Sequence, residues 1–77
     1  MTYTQALKTA LQENLEYDHV QDLGQYWKFY RKRKNPVEDD EVTIRKSDGA
    51  VFSFSELAMM GETLTVVSDT PIQLEDL

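Results

Sequence analysis

The residues best equipped for chemistry lie in one stretch, Tyr26-Trp27-Lys28-Phe29-Tyr30-Arg31-Lys32-Arg33-Lys34. It carries five of the eight basic residues of the chain, with four aromatic rings among five consecutive positions. Aromatic rings can stack on a nucleobase while guanidinium groups pair with phosphate. On that reading Tyr26, Trp27 and Tyr30 stack, and Arg31 and Arg33 hold the anion. The same residues also describe an amphipathic strand whose cations are solvated, or offset the acidic run Glu38-Asp39-Asp40-Glu41. Trp27 taken alone reads as a core residue, given the apolar area it can bury.

Other candidate groups are sparser. His19 is the single histidine. No Ser or Cys nucleophile motif accompanies it and no second histidine offers metal spacing, so no catalytic residue and no metal site is assigned. The Glu38–Glu41 run lacks the alternating oxygens, central glycine and closing bidentate Glu of a calcium loop, and reads as a solvated loop. Cysteine is absent, which removes disulfides, redox pairs and thiolate zinc sites. The expectation is a protein that is not an enzyme and needs no cofactor.

Charge narrows the partners. The chain has 77 residues and a net charge of −6. Residues 1–34 carry +2 and residues 35–77 carry −8. Direct nucleic-acid binding is not expected, because neutralising phosphates needs surplus Lys and Arg. The acidic residues, including Asp69, Glu75 and Asp76, could instead present nucleic-acid-like charge to a host or defence protein. No apolar run reaches the length of a membrane span, and no apolar segment follows a basic N-terminus. The expected compartment is cytoplasmic, with no membrane contact.

These residues need elements to position them. Tyr3, Leu7, Leu11 and Leu15, flanked by Ala6 and Ala10, form the stripe of an amphipathic helix over residues 3–15. Thr2 and Gln5 supply its capping box. Residues 16–24 read as a polar connector ending at Gly24. Residues 25–33 read as a strand with Trp27 and Phe29 on one face, and Tyr26, Lys28, Tyr30 and Lys32 on the other. Asn35-Pro36 stops it. Val42 and Ile44 begin a hairpin that turns at Ser47-Asp48-Gly49 and returns through Val51, Phe52 and Phe54. Ser53 and Glu56 cap a short helix through Leu57, Met59 and Met60, with the methionines read as core and Gly61 as its stop. Leu64, Val66 and Val67 read as the last strand.

The fold class is therefore α+β: an N-terminal amphipathic helix on a small antiparallel sheet of about four strands, with a short second helix. One domain spans residues 1–69, and residues 70–77 form a flexible acidic tail. If the Gln25–Arg33 strand lies at a sheet edge, it invites pairing with another chain, and a homo-oligomer is expected.

Five short pieces together resemble a known family: Tyr3-Thr4-Gln5-Ala6-Leu7, the Trp27 strand, Asp48-Gly49, Phe54-Ser55-Glu56-Leu57-Ala58 and Thr63-Leu64-Thr65-Val66-Val67. Their order over residues 1–68 is similar to that of the Thoeris anti-defence-like small phage proteins. The resemblance implies a non-enzymatic phage or prophage accessory protein, oligomeric, that sequesters an anionic nucleotide-type ligand, with Trp27 matching the family's first ligand-binding tryptophan. Two pieces depart from the family pattern. Thr63-Leu64 stands where the family has Asp-Trp, and residues 16–24 lack its basic Gly-Lys-Lys run.

Overall fold

Thr2 starts the first helix as its sequence requires. In a computed structural model that describes residues 1–32, 41–61 and 64–77, the Thr2 hydroxyl accepts from the Gln5 N–H at 3.2 Å, and the Gln5 side chain accepts from the Thr2 N–H at 2.9 Å. Helix α1 runs Tyr3–Glu13 and buries Ala6, Leu7, Ala10 and Leu11. It ends two residues earlier than the periodicity predicts. Asn14 turns to an extended conformation, and its side-chain oxygen takes the Glu16 N–H at 2.9 Å. Leu15 consequently leaves the stripe and is 83% exposed.

Five strands follow: β1 His19–Asp22, β2 Tyr26–Tyr30, β3 Glu41–Arg45, β4 Val51–Phe52 and, after helix α2 (Phe54–Met60), β5 Ser68–Pro71. All neighbours are antiparallel, in the order β4-β3-β2-β1-β5. The class is α+β as predicted, with five strands rather than about four. The extra strand is β1, from the stretch read as a connector. Its His-Val-Gln-Asp sequence carries a single apolar residue, so periodicity has nothing to register. A side-chain turn closes it onto β2: the Asp22 carboxylate accepts from the Gly24 N–H at 2.9 Å, and Gly24 takes a φ of 85° that a side chain would disfavour.

The last strand is displaced from its predicted place. Leu64 to Val67 is irregular, and the strand proper is Ser68–Pro71. Leu64 spends its apolar surface on the core, while backbone bonds from Val67 N–H to Asp22 O and from Ile72 N–H to Asp18 O bracket β5 along β1. Pairing thus comes from the bonds β1 offers, not from β5's own propensity. The segment expected as a tail begins with Thr70 and Pro71 inside β5, continues with Ile72 packed on the core, and ends in a 3₁₀ turn, Leu74–Asp76. Strand β2 is central rather than at an edge, which removes the edge-pairing argument for a homo-oligomer.

Register sorts the side chains. On one face α1 covers Val20, Phe29, Val42 and Ile44, with Tyr3, Trp27 and Ile72 packed around them. On the other, α2 lays Leu57 over Leu23 and Tyr26, supported by Phe52 and Leu64. Helix α2 begins at Ser53, whose hydroxyl accepts from the Glu56 N–H at 3.2 Å, and stops at left-handed Gly61. Among its described side chains, Leu57 is the buried one. Met59 is 89% exposed and Met60 is also exposed, so the expected core methionines face solvent. Seven residues make barely two turns, which leaves the methionines at its C-terminal end off the buried side.

Phe29 is fully buried at the centre of the α1 face. Phe29→Ala should cost about 3–5 kcal/mol, enough to unfold much of so small a domain. Urea denaturation followed by circular dichroism checks this, and a loss below about 1 kcal/mol would contradict the placement of Phe29.

Candidate functional site

Strand alternation splits the five residues predicted to form one site. Tyr26 and Tyr30 point to the α2 face, and Trp27 to the α1 face. Tyr26, expected on the surface beside lysines, is 3% exposed, because α2 covers its end of the sheet and Phe52 meets its ring edge-on at 6.1 Å. Arg31 pairs with Glu16 at 2.7 Å. Arg33 lies outside the described residues, as do Glu38, Asp39 and Asp40; Glu41 belongs to β3 and pairs with Lys28 at 3.2 Å. No single platform gathers Tyr26, Trp27, Tyr30 and Arg31.

Trp27 instead stands in the wall of a depression of about 410 Å³, flanked by Tyr3, Asp22, Ser68, Thr70 and Gln73. Tyr3, at the first position of α1, meets the indole edge-on with ring centres 5.6 Å apart. Across the sheet Trp27 pairs with Asp22, and Asp22 with Ser68, which places the three in one row. Thr70 is carried into the next row opposite Val20. The Lys46 ammonium lies 5.0 Å from the indole ring centre and 2.8 Å from an Asp22 carboxylate oxygen. The Lys46 bond, with the Gly24 N–H, holds the Asp22 carboxyl below its ordinary range. An aromatic wall, hydroxyls, an amide and a cation over a ring suit a flat heteroaromatic ligand with polar edges. Asp22, Lys46, Ser68, Thr70 and Gln73 escaped sequence reasoning. Their nearness depends on β1 and β5, the two strands with least apolar pattern.

The opposite face of the same two strands carries a second polar group. The Tyr30 hydroxyl donates to both Asp69 carboxylate oxygens, at 2.7 and 2.6 Å, and the Gln21 amide donates to Asp69 at 3.2 Å. Lys28 lies 5.4 Å from the Tyr30 ring centre. His19 packs its ring 5.7 Å from that of Tyr30 and bonds Asp18 through Nδ1 at 2.7 Å. The His19 bond, more than the Lys32 N–H also directed at Asp18, lowers the Asp18 carboxyl. Neither set holds three or more metal-ligating residues grouped for an ion among the described residues. No helix there is long and apolar enough to cross a membrane.

Burial, then the Asp69 bond and charge, push the Tyr30 phenol up from 10.0 to about 12. The Tyr30 bond, then that of Gln21, holds Asp69 below 3.8. A raised phenol stabilises the fold below pH 10, and this contribution fades as pH rises towards 12. A depressed carboxyl stabilises it above its ordinary value, and this contribution fades as pH falls through the lowered one. Wild-type stability should therefore fall at both extremes. Tyr30→Phe should flatten the alkaline limb and remove a phenol ionising near pH 12 from an absorbance titration; an unchanged titration would contradict the assignment.

No family model matches the chain, nor does any curated protein or solved structure.

Proposed function

We propose that the protein is a non-enzymatic binding module that captures an anionic nucleotide-type ligand at the Trp27 depression. The observation that carries this reading is the convergence of Trp27 and Tyr3 with Ser68, Thr70 and Gln73 around one opening, with the Lys46 ammonium 5.0 Å from the indole ring centre. A base would lie against the indole, its polar edge would meet the hydroxyls and the Gln73 amide, and Lys46 would exchange part of its Asp22 contact for a phosphate. The motif resemblance supports the ligand class, a phage or prophage anti-defence role and an oligomeric form. Of the described residues predicted to bind ligand, Trp27 alone lines this depression.

Trp27 is the single tryptophan, so its emission reports on the site directly. Titration with cyclic dinucleotides, nucleoside diphosphates and inorganic phosphate should give a saturable change for at least one nucleotide. Gln73→Ala and Thr70→Ala should each weaken it about 3- to 10-fold, and Lys46→Gln about tenfold. Absence of saturation across the series, with calorimetry in agreement, would overturn the reading.

A second reading is supported by the pairing of Lys28, Arg31, Arg45 and Lys46 with Glu41, Glu16, Asp48 and Asp22. With these cations offset, the net negative charge can act outward, as in an acidic inhibitor that mimics nucleic acid toward a host or defence protein. A complex of that kind should weaken steeply between low and moderate salt in a pull-down series. Salt-insensitive capture would contradict it.

A further inference from the structure

Strand β5 is exposed at all four positions, and among the described residues it lies at the sheet edge, paired with β1. Its alternation sends Ser68 and Thr70 into the Trp27 depression and Asp69 to the opposite face. There Asp69 meets the Tyr30 hydroxyl from β2 and the Gln21 amide from β1. The Tyr30 bond reaches past β1, so β5 is tied to the centre of the sheet as well as to its neighbour. Charge-assisted bonds of this length are the strong kind. Two backbone bonds bracket the strand, Val67 N–H to Asp22 O at 2.7 Å and Ile72 N–H to Asp18 O at 2.8 Å.

We infer that β5 is a strap fastened by the Tyr30–Asp69 clasp, and that its release opens the Trp27 depression from the far side of the sheet. Tyr30 and Asp69 are positioning residues. They do not face the depression, yet they hold the wall that carries Ser68 and Thr70. The strand's single apolar side chain, Pro71, is exposed, so among the described residues the β1 ladder and the packing of Ile72 are what otherwise retain it. The inference concerns the fold and stands independently of which ligand the depression takes.

Amide hydrogen exchange by NMR on the full chain tests it, with Tyr30→Phe, Asp69→Ala and the double variant. Phe keeps the ring against His19 and removes only the hydroxyl. Exchange at Val67 and Ile72 should quicken about tenfold in Tyr30→Phe and at least as much in Asp69→Ala, which also loses the Gln21 bond, with no further gain in the double over Asp69→Ala. Amides of Asn14 and Lys46, bonded to Ala10 and Gln25, should hold their rates. Acrylamide quenching of Trp27 should rise in step. Asp48→Asn, which breaks a carboxylate pair elsewhere, should leave Val67 and Ile72 unchanged. Unchanged exchange at Val67 and Ile72 in the clasp variants, or uniform acceleration across the sheet, would overturn the strap.

Discussion

Strand β2 must satisfy two cores at once, and that constraint organises the molecule. Its five residues alternate Tyr26, Lys28 and Tyr30 against Trp27 and Phe29. Phe29 is the fully buried centre beneath α1, while Tyr26 is closed over by Leu23 and Leu57 on the other side. A shift of one residue would exchange these sets, placing Lys28 beneath α1 and Phe29 among the polar groups of the opposite face. The register with β1 and β3 is therefore specified from both faces. The Asp22–Lys46 pair and the Tyr30–Asp69 clasp take their places from that register.

Two polar arrangements consequently sit back to back across the sheet. On the α1 side, Trp27, Asp22 and Ser68 share a cross-strand row beside Thr70. On the other, Lys28, Gln21 and Asp69 share one, beside Tyr30 and His19. The sheet is one residue thick, so whatever fixes the position of β5 for one face fixes it for the other. This connects the two faces mechanically, without any side chain passing between them.

The helices and the central hairpin were legible because each carries a local signal strong enough to stand alone. Thr2 and Gln5 form their box, the α1 stripe is apolar at helical spacing, and Gly49 turns with a φ of 75°. The site was legible only at Trp27. Tyr26 read as exposed because the lysines on its face implied water, and nothing local reveals that α2 returns to cover it. Strands β1 and β5 contribute most of the depression's polar lining, and both are short and polar. Their existence follows from pairing between residues nearly fifty positions apart, such as Gln21 with Asp69, a separation of 48. A reading of neighbouring residues has no access to such a pair.

The strand order also sets a schedule for synthesis. Strands β1 to β4 form a meander in which each pairs with the next, so those hairpins can close as they emerge. The outer edge of β1 must wait for β5, which arrives only when most of the chain has been made. During that interval β1 presents unpaired backbone groups, the usual template for joining a neighbouring nascent chain. Its composition guards against this: His19, Gln21 and Asp22 leave Val20 as the only apolar residue. The polarity that hides β1 from pattern reading is thus also what keeps its waiting edge from aggregating.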